Sequence, residues 1–332
     1  MWKHRMCFLG WAASILLTCG QGVVADTWRL KDGEKWKAVE ADPQEKYVHA
    51  LAELKKLVQT GDAKAVKDAL EQLKEEFPDR VGPDLDLFIG GELRYWQDRY
   101  NKAMTQFEKL LEDYPGSDFA AAALEREFAM GRDYLNGRKI SVLGLFKIAG
   151  YAEGVEIMER ISDRAGLDEP NGVGLRAAIA VAEHFEIKED YLEAHLKWAE
   201  IASYWETGAV GRRALYRMAE NNLAAYNEPR PERRHHYDAS KLTTARAYYE
   251  KFLLLYPKEG KEKGIPGKIE QIDEQMAYKQ FTIGQYYRRT GESRAANLYF
   301  DMVVRNWPGT AAAALARDAL EQSLDSDPTD GK

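Results

Sequence analysis

Residues able to do chemistry are few and scattered along this chain. Cysteine occurs only as Cys7 and Cys19. The body beyond them has no thiol, which excludes a cysteine nucleophile, a disulfide framework and thiolate metal ligation there. A cysteine-free body suits an oxidising compartment, where a stray thiol is a hazard. His184 and His195 stand eleven residues apart, with no Gly-x-Ser-x-Gly, P-loop or His-Glu-x-x-His motif in the chain. They read as structural histidines. Glu232, His235 and His236 have ligand-type side chains, but adjacent histidines fit one metal poorly and Arg233 and Arg234 repel a cation. Carboxylates are abundant yet stand beside lysines, as in Glu71 to Glu76 near Lys74, which is the pattern of a solvated helix face. No nucleophile, base and orienting group can be assembled, so the sequence predicts no enzyme, no cofactor and no metal.

What remains is binding, and composition narrows it. Of 332 residues, 45% are hydrophobic and 30% charged, enough apolar material for a core and too much charge for a membrane-spanning bundle. Aromatic content of 11% argues against disorder in the body. The formal charge is −7, against the concentrated basic surface that nucleic-acid binding needs.

The first 25 residues have the three parts of a secretory signal. Lys3, His4 and Arg5 open it, Cys7 to Leu17 is apolar, and small residues lead to Val23-Val24-Ala25. The apolar run is shorter than the roughly 20 residues a mature membrane helix needs. Cleavage after Ala25 leaves 45 basic against 54 acidic residues, a charge of −9. A competing reading takes Leu16-Leu17-Thr18-Cys19 as a lipobox, with a signal of residues 1–18 and Cys19 lipidated; Thr18 departs from the small residue preferred there. Either route predicts an exported protein, in the periplasm or on the periplasmic face of the outer membrane; only the second gives it a membrane attachment, through the lipid on Cys19.

Residues 26–44, with Trp28 and Trp36 among many charges, read as an extended lead-in. From residue 45, apolar residues recur at three- and four-residue spacing and an aromatic-proline pair stops each run: Phe77-Pro78, Tyr114-Pro115, Tyr256-Pro257 and Trp307-Pro308. Proline lacks an N–H and clashes with the turn before it, so each pair ends a helix. Before Pro115 stand Gly91, Ala103, Phe107 and Leu110; before Pro308 stand Gly284, Ala296, Phe300 and Val303, at identical intervals. Ala245, Tyr249 and Phe252 precede Pro257 with the same spacing, and Val66, Leu70 and Leu73 precede Pro78. Small residues at fixed positions let antiparallel helices approach, and the large one fills the groove toward the next pair. That alternation is the tetratricopeptide signature. Weaker units carry Gly131, Tyr134 and Met158, then Ala182, Phe185, Ala194, Trp198 and Ile201 with Trp205 as the stop. The expected fold is all-α, a right-handed tetratricopeptide-like α-solenoid of five to six helix pairs over residues 45–324, with a C-terminal capping helix from about Thr310 and a disordered tail, 325–332.

Two insertions break the repeat. Residues 136–149 hold Ile140, Val142, Leu143, Leu145, Phe146 and Ile148. They suit either a loop that contacts a partner or membrane, or a helical insertion folded back on the solenoid. Residues 227–238 carry Pro229 and Pro231, which argue against a helix, and suit a solvated loop or one that recognises an acidic partner. Helix phase points the first helices toward a concave face and makes Arg94, Tyr95 and Asp98, with Arg213, Arg217 and Asn221, the partner-binding candidates.

The stretch AYKQFTIGQYYRRTGESRAANLYFDMVVRNWP, residues 277–308, resembles the last repeats of the BamD family of outer-membrane assembly lipoproteins, and YDASKLTTARAYYEKFLLLYP, residues 237–257, resembles the penultimate one. Similarity is clearest over about residues 205–325 and weaker over 45–200. The resemblance implies five repeats at the outer membrane, protein partners that include the barrel subunit of the assembly machine, and unfolded outer-membrane clients received by the N-terminal repeats. This chain is longer, has the two insertions and has a poor lipobox. The alternative is a general periplasmic tetratricopeptide scaffold for another envelope complex.

Overall fold

The computed structural model describes residues 27–29, 37–39, 42–142 and 146–326. Cys19 and Ala25, and with them the choice of cleavage point, lie outside the described residues, as does most of the tail. The chain divides into two units, Met1–Gln106 and Phe107–Lys332.

The first unit opens with strands β1 (Thr27–Arg29) and β2 (Lys37–Val39), antiparallel with Trp28 opposite Ala38, inside the stretch expected to be an extended lead-in. Helices α1 (Pro43–Val58), α2 (Ala63–Glu76) and α3 (Pro83–Trp96) follow, and α4 (Tyr100–Asp113) begins. Short polar side chains start the first two. The Asp42 carboxylate accepts from the Gln44 N–H, and that of Asp62 from the N–H groups of Lys64 and Ala65. Each satisfies donors that a helix start leaves orphaned. Pro43 and Pro83 sit in the first turn, where a missing N–H costs nothing.

In the second unit, α4 ends and α5 (Ala120–Leu135) follows, then strands β3 (Lys139–Val142) and β4 (Phe146–Ala149). Next come α6 (Tyr151–Ala165), α7 (Val173–Ile187), α8 (Tyr191–Tyr204) and α9 (Gly208–Asn227). The short α10 (Pro231–Arg234) leads to α11 (Ser240–Leu255), then α12 (Pro257–Glu262), α13 (Ile265–Arg289), α14 (Ser293–Asn306) and α15 (Ala311–Ser326). From α5 to α9 each helix packs on the next; α9 then packs on α11, α11 on α13, α13 on α14, and α14 on α15. The fold is all-α and solenoid-like, its helices packed in consecutive pairs, with α15 closing the series as the capping helix that the sequence leads one to expect.

The residues picked out by spacing form the core. Ala103, Phe107 and Leu110, Ala194, Trp198 and Ile201, Ala245, Tyr249 and Phe252, and Ala296, Phe300 and Val303 are all buried. The stop aromatics share one backbone conformation: Phe77, Tyr256 and Trp307 have φ between −132° and −135° with ψ near 60°. A residue before proline is steered away from helical ψ, which forces the chain out there. Trp205 adopts nearly the same angles before Glu206, and its indole N–H donates to the Leu167 carbonyl at 2.6 Å. The aromatic thus holds the exit even without proline.

Three expectations need correction. Within 136–149 the helical insertion is not found: Lys139–Val142 and Phe146–Ala149 are antiparallel β-strands, paired through four consecutive residues on each side. The segment around Pro231 does contain a helical turn, α10, since proline at its first position loses no hydrogen bond. Nor is 227–238 a free loop. The Arg234 guanidinium donates to the carbonyls of Pro229 and Asn227, Tyr226 Oη donates to the Arg234 carbonyl, and Lys279 reaches the His235 carbonyl. Beyond the Tyr256-Pro257 stop the chain continues into α12 and a 25-residue α13, an extension absent from the repeat pattern.

Candidate functional site

In the second unit the first helices of successive pairs are tied to one another by charge. Arg176 of α7 pairs with Glu125 of α5, Arg213 of α9 with Glu183 of α7, and Arg217 with Glu186 at 3.3 Å. Lys268 of α13 continues the series at 2.5 Å from Glu220 of α9. These four links make a ladder along the first helices, on which both sequence candidates Arg213 and Arg217 lie. Each keeps roughly two-fifths of its side chain exposed, so each is both a structural partner and reachable from outside.

Glu186 is the most heavily used rung. Its carboxylate accepts from Trp198 Nε1 and from Asn221 Nδ2, both at 2.8 Å, besides facing Arg217. Asn221 is buried, and its amide also donates to the Arg217 carbonyl. It therefore leaves the list of surface candidates: helix phase aimed it at the same face as Arg217, but its amide is spent inside. Arg213 lies over the Trp198 ring at 5.1 Å, so one indole is approached from its face by a guanidinium and at its N–H by a carboxylate.

In the first unit Arg94 is half-buried and donates to the Gly90 carbonyl. Tyr95 stacks on Tyr100 with ring centroids 5.2 Å apart. Asp98 is not on a first helix. It occupies the turn between α3 and α4 with φ +63°, and the next N–H, of Arg99, bonds back to the Arg94 carbonyl. This left-handed helix ending recurs with Glu189 and with Gly61 and Gly291 at the corresponding turns. Aspartate adopts it more readily than most side chains do.

On the second helices lies a different electrostatic arrangement. Glu108 of α4 is held by Arg160 Nε at 3.1 Å and Arg164 Nη2 at 2.7 Å, both from α6. Glu127 of α5 is buried beside them, 3.9 Å from Arg164, with its Oε1 lacking a hydrogen-bond partner. Burial, helped by the neighbouring Glu108 charge, pushes its carboxyl up to about 8. The sequence gives no sign of this, because Glu127 looks like any other helix carboxylate.

The histidines are structural. His184 is buried beside the Tyr151 ring, and burial lowers its pKa. His195 Nδ1 lies 3.0 Å from the Asn222 amide and is also lowered by burial. The His235 and His236 rings lie tilted against each other, centroids 4.0 Å apart, and no group of three metal-ligating side chains occurs among the described residues. No described helix is long and apolar enough to cross a membrane.

A family model agrees with one of the helix pairs. The tetratricopeptide repeat family model matches residues 87–117, so the chain contains such a repeat. No curated protein sequence matches the chain. Among solved structures it is similar to the C-terminal part of a TPR repeat-containing protein from Cytophaga hutchinsonii, at 12% identity and a TM-score of 0.35, over 83% of this chain and 88% of that one. It is also similar to PilW, a widely conserved type IV pilus biogenesis factor, at 13% identity and a TM-score of 0.28, over 83% of this chain and 100% of that one.

Proposed function

We propose that this chain is a non-enzymatic protein-binding scaffold of the bacterial cell envelope, a BamD-like component that assists assembly of outer-membrane β-barrel proteins. The observation that carries the scaffold reading is the ladder along α5, α7, α9 and α13. Its charged side chains are paired within the protein, and its three arginines keep roughly two-fifths of their side chains exposed, which suits recognition of a polypeptide by exchange of polar contacts and offers no reacting group. The secretory layout of residues 1–25 and the resemblance of residues 237–308 to the BamD family support the envelope and the barrel assembly. In this reading Cys19 carries a lipid that holds the scaffold at the membrane.

Co-isolation from envelopes solubilised in mild detergent tests the proposal. Recovery of a large β-barrel subunit with the tagged full chain is the expected result. Recovery of other envelope proteins without a barrel subunit would sink the assembly role and leave a general periplasmic scaffold. Mass spectrometry of the mature N-terminus tests the lipid: a diacylated Cys19 is expected, and a chain beginning at Asp26 would contradict it.

A further inference from the structure

The hairpin of β3 and β4 is a two-stranded sheet, and among the described residues no third strand pairs with either outer edge. Its base is held firmly. The Gly150 N–H donates to the Arg138 carbonyl at 2.9 Å, and Gly150 fits so closely between Tyr134 and Ile140 that an added Cβ would lie 2.7 Å from one and 2.9 Å from the other. The Arg138–Gly150 bond fixes which residues face inward, because hydrogen-bonded and non-hydrogen-bonded pairs alternate in an antiparallel ladder. Ile140 with Ile148 and Val142 with Phe146 are then the bonded pairs. Lys139, Ser141, Lys147 and Ala149 turn their N–H and C=O groups outward, to the open edges.

The same alternation sorts positions onto two sides. One side carries Ile140 and Ile148; the other carries Lys139, Lys147 and Ala149. Sheet edges left open in folded proteins are usually blunted by shortness, by charged side chains, lysine above all, by proline, by a bulge or by a covering element; this hairpin has the first two, in four-residue strands that carry Lys139 and Lys147. Here the register runs through four successive pairs without a bulge, and the strands contain no proline. On the β4 edge Lys147 is exposed and Ile148 is 52% exposed.

We propose that the outer edge of β4 captures an extended segment of a client polypeptide as a third strand. This deepens the preceding reading, on which it rests, by naming the client's chemistry. The added strand must continue both sides of the sheet, so its residues alternate between apolar, beside Ile148, and acidic or polar, beside Lys147. Lysine on that edge supplies the charge complementarity, and the outward backbone groups of Lys147 and Ala149 supply the register.

The test uses the full chain and a labelled twelve-residue peptide alternating valine and glutamate, read by fluorescence anisotropy. Lys147→Pro removes an outward N–H and no bond of the hairpin, so it should weaken the peptide at least tenfold while the melting temperature stays unchanged. Lys147→Glu, which keeps the backbone donor, should reject the valine–glutamate peptide and accept a valine–lysine one. Peptide affinity equal in the chain and in Lys147→Pro overturns the proposal, as does absence of peptide binding. Flotation of the chain with phosphatidylglycerol vesicles, lost in Ile148→Asp and coupled to indifference to the peptide, overturns it in favour of a lipid surface. Failure of the assembly reading is distinguishable: the peptide would still bind the β4 edge although no barrel subunit is recovered from envelopes.

Discussion

The α5–α6 and α13–α14 pairs are two versions of one design. Gly131 and Gly284 stand at the same point of the first helix, and Tyr134 and Tyr287 follow each at the same distance. On the second helix, Ala296 and Phe300 of the regular pair correspond to Gly154 and Met158 of the irregular one. In the regular pair a tight turn at Gly291, φ +82°, joins the helices, and the Phe300 ring lies 2.7 Å from where a Cβ on Gly284 would sit. In the irregular pair the connection is a hairpin, and a Cβ on Gly154 would meet the backbone N of Leu135 at 2.8 Å and the Gly131 carbonyl oxygen at 3.0 Å. The pair that carries an insertion brings its backbones closest.

The buried charges differ in the same way. Gln280 occupies in α13 the place of Glu127 in α5. Glu127→Gln therefore makes the irregular pair like the regular one, and carries the largest expected effect. The folded Glu127 keeps its proton up to about pH 8, whereas the unfolded carboxyl loses it near its ordinary value of 4.5. A raised folded value means stability present below 4.5 and lost as pH rises toward 8. At one pKa unit per 1.36 kcal/mol, the loss amounts to at most about 5 kcal/mol. Urea unfolding should show Glu127→Gln more stable than the natural chain at pH 8, with the gain shrinking steadily toward pH 4.5. A pH-independent difference would remove the contrast between the pairs.

Steric contrasts come next. Gly154→Ala copies Ala296 into α6 yet should destabilise by about 3 kcal/mol, because backbone cannot yield. Gly284→Ala should cost only about 1–2 kcal/mol, because the Phe300 ring can shift. Equal losses in the two variants would mean that both pairs are packed alike. The capping helix gives a smaller effect. Glu274 of α13 accepts the N–H groups of Ala311 and Ala312 at 2.7 and 3.0 Å, and so starts α15 from a neighbouring helix. Glu274→Ala should cost about 1 kcal/mol and speed amide exchange in α15 before other helices. Uniform exchange across the second unit would contradict that local role.

Arg213→Ala should have the smallest effect on stability, about 0.5 kcal/mol by thermal melting, since its pair with Glu183 is half exposed. Reversing Arg217 is a poorer probe. A glutamate there would repel Glu186, which also holds Trp198 and Asn221, so lost binding and lost packing would be confounded.

Helix pairs were legible because packing two helices requires small and large residues at fixed distances, and the chain repeats them. The turn at Asp98 was legible too, though only by counting: Gly61, Asp98, Glu189 and Gly291 each precede their stop position by seventeen residues. Helix phase alone carried the expectation past it. The hairpin was hidden because its short apolar run suits strand and helix equally until pairing partners are known. Asn221 and Glu127 were hidden for a different reason. Their roles depend on Glu186, thirty-five residues from Asn221, and on arginines of the next helix, and periodicity within one helix cannot reveal such partners.

The central claim, a protein-binding scaffold whose first-helix ladder meets its partners, is tested most directly by quantitative co-isolation of the full chain and Arg213→Ala from envelopes, with matched melting curves. The expected result is a β-barrel subunit recovered with the natural chain and depleted at least fivefold with the variant, at nearly equal stability. A subunit recovered equally with both, or with neither, would contradict it.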